Sequence, residues 1–473
     1  MDQFRLWRSL TIAFALAAAS ASVQANKLEY PQCVALALAQ NPDLAISQAQ
    51  IDQAEAAVRQ AEGNRLPRLN LSLTGTRSND ALNAFGMKLG QRNATFDDFG
   101  AGQFIDAFVT PGSNPYSALS IAPDNLNHPD AVNNFNTRVE LLVPVYNGGM
   151  VRSYVETARA HVRAAQSGSQ VARQQIAKQV LMAYQGVHSA RAYIRLADEA
   201  RASAEEYVRI TEKLHKQGMA VKSDVLSAKA NLEEVKVKGV EARNAEKSAL
   251  NQLALLMGQS LDEPLDVGAP VTPRLLTGSA AELRAQALNE HAGLRALRSQ
   301  LEGAAAQVGA ARAGKKPQFN VMLRQDWNDN NLGFDASSYT VAGVLSWTAF
   351  DGGPTNAALH RAEAQRSELV AKLRQAEQGI GFQVTEAQRK AFEAEDRIAA
   401  REAVLEQARE AQRLVKKRYE NGVGTLVELL GAQTQLDKTN ADLVAAQYEL
   451  AVNRAELRRA VGVLDGTALA DAL

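Results

Sequence analysis

The chain carries a single cysteine, Cys33, among 473 residues. An intrachain disulfide and a cysteine-built zinc cluster are both excluded. A lone thiol of this kind reads as a small apolar side chain on a short helix. Aromatic residues are scarce, at 5% of the chain, while Ala, Gln, Arg, Glu and Leu fill long stretches. That composition favours long helices that touch through small side chains. A surplus of one charge is also lacking, because 52 Lys and Arg balance 52 Asp and Glu. The balance argues against the basic footprint of a nucleic-acid binder. Beyond the N-terminus no run reaches the roughly 20 apolar residues of a transmembrane helix. An exported chain of this composition can enter a membrane only as β-strands closed into a barrel.

The N-terminus reads as a secretory leader over residues 1–25. Arg5 and Arg8 form a positive start, Leu10 to Ala19 a short apolar stretch, and Val23-Gln24-Ala25 a small-residue cleavage site. An uncleaved anchor is the rival reading, and the apolar stretch is short for one.

What the sequence has in place of these features is an internal repeat. Tyr146-Asn147-Gly148-Gly149 recurs as Phe350-Asp351-Gly352-Gly353, an offset of 204 residues. The same offset pairs Gly218 with Gly422, Leu226 with Leu430 and Gly258 with Gly462. A repeat of this length marks a duplicated structural unit. The first copy spans 26–258 and the second 279–463. Residues 259–278, with Pro264, Pro270 and Pro273 and no periodicity, read as a linker, and 464–473 as a tail.

Each copy has one order: short helix, Pro, strand, loop, strand, Gly-Gly, long helix, Gly turn, long helix. After Pro67, Leu69, Leu71 and Leu73 alternate with Asn70, Ser72 and Thr74. Such alternation predicts strands with one apolar face, over 67–78 and 136–146 and again over 317–328 and 339–350. Pro67 and Pro317 mark helix-to-strand junctions, and the two Gly-Gly pairs mark the return. The stretch 79–134 is rich in Gly, Asn, Asp, Pro and Phe and reads as a surface loop. Four strands cannot close a membrane barrel, since the smallest need about eight. A membrane reading therefore demands several copies.

From Met150 to Lys216 only Gly168 and Gly186 interrupt the helical pattern, and both are tolerable; the run from Arg361 to Tyr419 is similar. Each long helix ends at a glycine turn, over 217–224 and 421–428, and a new helix follows. Ser223 and Thr425 supply caps, and Asp224 and Glu428 place acid in the first turns.

These motifs, in this order and in two copies, resemble the TolC family of outer-membrane efflux proteins. The carrying residues are Asn41-Pro42-Asp43-Leu44, the Pro67 and Pro317 junctions, both Gly-Gly pairs, Gly218-Met219-Ala220 and Gly422-Val423-Gly424-Thr425. The resemblance implies a mostly α chain with a small β part. It implies a homotrimer with a twelve-stranded outer-membrane barrel continued by a twelve-helix periplasmic barrel. It implies docking to a periplasmic adaptor and an inner-membrane pump, contact with outer-membrane lipid, no nucleic acid and no cofactor. By the same resemblance Gly218, Met219, Gly422 and Val423 match adaptor-contact tips. Glu428 matches an acidic aperture position, whose second member is Gly431 in this chain. Asp224 and Tyr419 match a gating latch, whose arginine position is Gly424.

No catalytic or metal-binding constellation stands out. Gly309 to Lys316 approaches a phosphate-binding loop, but Lys316 replaces the Ser or Thr that would hold magnesium. His161, His188 and His215 are scattered along helices and read as solvent-facing. The rival class is a soluble periplasmic coiled-coil adaptor, which would carry one hairpin in a β-rich body. Neither reading separates drug or metal efflux from protein secretion.

Overall fold

The structure, a computed structural model, describes residues 27–112 and 114–464. The leader read over 1–25 and residues 465–473 of the tail lie outside the described residues. The first copy runs β1 (Lys27–Leu28), α1 (Tyr30–Gln40), α2 (Pro42–Gly63), β2 (Arg68–Ser78), α3 (Ala81–Gly90), α4 (Ala101–Val109), α5 (Asp124–Asn127), β3 (Val132–Tyr146), α6 (Met150–Lys216) and α7 (Lys222–Met257). Then come β4 (Asp266–Val267), α8 (Ala280–Glu290), α9 (Ala292–Ala313), β5 (Gln318–Asp329), β6 (Ala336–Ser346), α10 (Pro354–Glu420) and α11 (Leu426–Val461).

The duplication is written in the element lengths. Helices α6 and α10 have 67 residues each, and α7 and α11 have 36 each. Their boundaries keep the offset of 204, while α1 and α2 precede α8 and α9 by 250. The two offsets differ because the first copy holds an insertion between β2 and β3. A 67-residue helix is roughly 100 Å long at 1.5 Å per residue. Helix α10 starts at Pro354, ahead of the expected Arg361. Proline suits a first helical position, where its missing N–H is not needed. Asp351 then accepts bonds from the Gly353 and Thr355 amides at 2.8 and 2.9 Å.

Strands β2, β3, β5 and β6 form one antiparallel sheet in that order. Register aligns Leu69, Leu141, Leu323 and Val341 in one row. The neighbouring rows are Asn70, Glu140, Arg324, Thr340 and Ser72, Arg138, Asp326, Ser338. One face is therefore apolar and the other polar, because side chains alternate along a strand. Leu69, Leu71, Tyr339, Val341 and Leu345 are all exposed. On the polar face Arg138 Nε donates to Asp326 at 2.7 Å and Asn136 donates to Asp326 at 3.2 Å. Among the described residues no helix is long and apolar enough to cross a membrane.

Two cores hold the short helices α1 and α8 against the long ones. In one, Tyr30, Cys33 and Val34 of α1 pack against Ile176, Val180 and Tyr184 of α6 with Leu253 and Met257 of α7. In the other, Leu283 and Ala287 of α8 pack against Val384 and Ala391 of α10 with Leu457 of α11. Burial pushes the Cys33 thiol up to about 12, which leaves it protonated and inert, as its apolar setting predicts. Toward the sheet, small residues set the spacing: a Cβ at Gly303 of α9 would stand 3.3 Å from Ala160 Cβ of α6.

Three stretches differ from their sequence reading. The loop expected over 79–134 holds α3, α4 and α5, and β3 already begins at Val132. Asp80 caps α3 by accepting from the Asn83 amide at 3.0 Å, and Ala84 and Met87 are buried. Its glycines and asparagines disguise a helix that tertiary contacts supply. The stretch 259–278 is irregular, yet it is packed: Val267 and Val271 are buried, and the Tyr184 hydroxyl donates to Ala269 O at 2.9 Å. His188 is not a solvent-facing residue, since its ring packs on Tyr184 at 5.1 Å and its Nε2 is buried.

The paired glycines at the strand-to-helix returns are unequal. Gly148 and Gly352 both have positive φ, 66° and 73°. A Cβ at Gly148 would lie 2.9 Å from Ala313 O and from Lys316 Cβ, whereas at Gly352 it meets nothing. Gly352→Ala is therefore expected to cost about 1–2 kcal/mol, the left-handed penalty alone. Gly148→Ala adds about 1–3 kcal/mol of overpacking. Thermal unfolding of the two variants side by side checks the order, with Gly148→Ala the less stable.

Candidate functional site

The site read from the sequence lies where both helical hairpins turn, at the end remote from the sheet. Gly218 and Gly422 occupy the turns with φ of 76° and 72°. The two turns meet, since a Cβ on Gly422 would stand 3.3 Å from Met219 Sδ. Met219, Val221, Val423 and Val427 are exposed, so this end presents an apolar surface. Beneath it one core ties the hairpins into a single body: Tyr207 and Leu214 of α6, Ala228 of α7, Tyr419 of α10 and Leu426 and Leu429 of α11.

Glu428 closes a capping box on α11. Its amide donates to Thr425 Oγ1 at 3.2 Å, and its carboxylate accepts from the Thr425 amide at 3.4 Å. Arg418 stands 3.9 Å from the same carboxylate. The acidic group is thus exposed but held back against its own helix, with a guanidinium beside it. Sequence reasoning missed Arg418, because it lies on the other arm of the hairpin.

Tyr419 is buried, and its hydroxyl lies 2.9 Å from Thr211 Oγ1. Thr211 already spends its one proton on Tyr207 O at 2.7 Å, so the Tyr419 hydroxyl is the donor. Burial raises the phenol's pKa, the bond to Thr211 opposes that, and the charge of Asp224 adds to the rise. Within the chain the Tyr419 hydroxyl is thus bonded to Thr211. A second buried link lies alongside, where Tyr207 donates to Gln433 Oε1 at 2.6 Å and Gln412 donates to the same oxygen at 3.1 Å. Neither Thr211 nor Gln433 was visible as a site residue, since both read as ordinary helix positions. At Gly424 a Cβ would meet the Tyr419 amide N at 3.3 Å and Glu428 Oε2 at 3.4 Å. The closely packed turn therefore favours glycine at position 424. Between α6, α7 and α11 runs an open groove of about 520 Å³ lined by Tyr193, Ala200, Val235, Lys238, Leu430 and Asp437. Among the described residues no cluster of His, Cys, Asp or Glu could hold a metal ion.

The junction residues stand where the sequence places them. Pro67 and Pro317 precede β2 and β5, and Gly149 and Gly353 sit in the left-handed region just before α6 and α10.

Two long helical hairpins below a small antiparallel sheet with one apolar face make up the fold. The same fold occurs in CusC, with a TM-score of 0.75 at 18% identity over 93% of both chains. It occurs in the outer membrane protein VceC from Vibrio cholerae, with a TM-score of 0.72 at 21% identity over 92% of this chain and 96% of that one. A model of the outer membrane efflux protein family matches residues 33–259 and 283–463, and the chain belongs to that family. It is 30% identical over 345 residues to Protein CyaE of Bordetella pertussis, covering 71% of each. It is 27% identical over 304 residues to the alkaline protease secretion protein AprF of Pseudomonas aeruginosa. It is 24% identical over 328 residues to the toluene efflux pump outer membrane protein TtgC of Pseudomonas putida. The matches span 62% of AprF and 66% of TtgC, under two thirds of either length.

The tip geometry assigns separate effects to two substitutions. Tyr419→Phe removes a buried donor and is expected to cost about 0.5–1.5 kcal/mol of tip stability. Thr425→Ala removes the hydroxyl that accepts from the Glu428 amide and costs about 1 kcal/mol. Amide exchange at the two turns reads both: Tyr419→Phe speeds exchange in α6 and α10, Thr425→Ala at the start of α11.

Proposed function

We propose that three copies of this chain form a passive duct through the outer membrane and across the periplasm. It takes cargo from an inner-membrane pump through a periplasmic adaptor. The observation that carries the assembly is a difference between equivalent helices. Helix α9 packs along both α6 and α10 and buries seven residues. Its counterpart α2 packs extensively on α6 alone and buries only Ser47. The duplication supplies the missing neighbour, the α10 of another copy. On the sheet, β2 and β6 each end with one open edge of eleven residues. Joining β6 of one copy to β2 of the next satisfies both edges. Three copies then give twelve strands whose apolar faces meet lipid and whose polar faces line the bore, as the family resemblance implies.

The exposed apolar tips around Gly218, Met219, Gly422 and Val423 suit an adaptor surface, where small turns allow close backbone approach. Three Glu428 side chains around the axis favour cations, and the adjacent Arg418 moderates them. Asp224 makes no side-chain hydrogen bond or ion pair among the described residues, so it is available to a latch between copies. Without an arginine at Gly424 that latch is weak. AprF is named for protease secretion and TtgC for toluene efflux, and the duct reading covers both kinds of cargo. No step of this reading calls for catalysis.

Fractionation tests the proposal at its base. The chain should require detergent for extraction and run as a crosslinked trimer, and its deletion should raise susceptibility to at least one exported toxic compound. Release by osmotic shock alone would give the reading to a soluble adaptor. In planar bilayers Glu428→Gln should lower cation preference, and Asp224→Ala should raise conductance. A tight closed state that Asp224→Ala leaves unchanged removes the latch from the proposal.

A further inference from the structure

The insertion between β2 and β3 has no counterpart in the second copy. There β5 and β6 are joined by the six residues 330–335. Its placement is specific. Gln91 Nε2, just after α3, donates to Asn133 O at 2.7 Å and to Asn134 Oδ1 at 2.9 Å. Gly90 lies against the Asn328 side chain, whose atoms stand 3.6 Å from a Cβ built there. Asn134 and Asn328 are joined to each other at 3.1 Å and belong to the polar face, the face of Asn136, Arg138 and Asp326. Arg92 reaches farther, donating to Ser337 O of β6 at 2.6 Å. It holds φ of 58°, the sole non-glycine residue at positive φ among those described. Such a backbone persists where surrounding contacts determine it.

The insertion thus crosses the sheet from β3 to β6 on its polar side. Asn134, Asp326 and Ala336 are buried on that side, while Leu69, Leu71, Tyr339 and Val341 on the other stay exposed. The insertion is also folded in itself. Lys88 pairs with Asp98, the Phe85 and Phe99 rings lie 5.1 Å apart, and Gln103 accepts from the Asp124 amide at 2.8 Å.

We propose that this insertion is an inward-folded plug. In the trimer, three copies of residues 79–131 lie inside the outer mouth of the barrel and set the largest molecule that can pass it. The inference rests on the trimeric duct reading. It adds a second restriction, at the opposite end from Glu428, anchored by Gln91 and Arg92.

Thiol labelling from outside tests it without depending on the periplasmic tips. Ser72→Cys places a thiol on the polar face below the insertion, and the native Cys33 is buried. Maleimides of increasing polymer length are added to intact cells carrying the full chain. The same labelling is run on a chain in which 79–131 is replaced by the 330–335 turn. Only short reagents should label the first, and long ones should also label the second. Should the shortened chain fail to assemble, Gln91→Ala with Arg92→Ala carries the test. It removes the three hydrogen bonds to the sheet and should raise long-reagent labelling at least about tenfold, with each lost bond contributing a factor of about two or more. Equal labelling of native and altered chains, with trimers intact by crosslinking, overturns the plug and leaves the duct. Absence of trimers in the native chain overturns the duct reading itself and the plug with it.

Discussion

The unpaired strand edge is the constraint on which the rest of this structure depends. In hydrocarbon each unsatisfied backbone group costs several kcal/mol, so an open sheet cannot remain there. This chain makes a sheet of four strands and stops, with β2 and β6 uncovered and an apolar face exposed. Lipid could cover the face but not the edges. Another copy can pair with both, and pairing fixes the direction in which copies must follow one another. The helices repeat the same incompleteness one layer down, where α2 lacks the second neighbour that α9 possesses. Sheet and helices thus call for the same partner on the same side.

Duplication explains how one short gene product meets that demand. Two copies of a strand-helix unit already satisfy each other at β3–β5 and at α6–α9. The interface within the chain is therefore a template for the interface between chains. Small residues make this possible along the helices. Gly303 lies so close to α6 that a Cβ there would stand 3.3 Å from Ala160 Cβ, and a larger residue would force the helices apart. The low aromatic content of the chain follows from this geometry, because side-by-side helices leave little depth for large rings.

Much of this was legible in the sequence, and the reasons are physical. Alternation at Leu69, Leu71 and Leu73 is a strand signal that needs no tertiary information. Glycines such as Gly218 and Gly422 are legible because positive φ restricts the choice of residue. Element order and the offset of 204 were therefore readable. Helix α3 was not, because Gly86 and Gly90 and the loop-like residues around it mask a run of otherwise good helix formers. Thr211 was not readable either. Its role depends on a tyrosine 208 residues away whose orientation only packing sets. Arg418 escaped for the same reason, since the turn at Gly422 alone brings it back to Glu428.

The two copies have diverged where they meet something other than each other. At equivalent positions in the turns stand His215 and Tyr419. The histidine Nδ1 lies 2.8 Å from Ala220 O in its own turn, while the tyrosine reaches across to Thr211 in the other hairpin. At the far end the first copy has an insertion and the second a six-residue turn. The long helices α6 and α10, which both pack along α9, keep equal lengths to the residue, whereas β3 and β6 differ. Matched packing punishes a change of length on one side only, because every later contact would shift register. The ends carry no such penalty. The two copies therefore diverge at the hairpin tips and beside the sheet and keep their helix lengths in between.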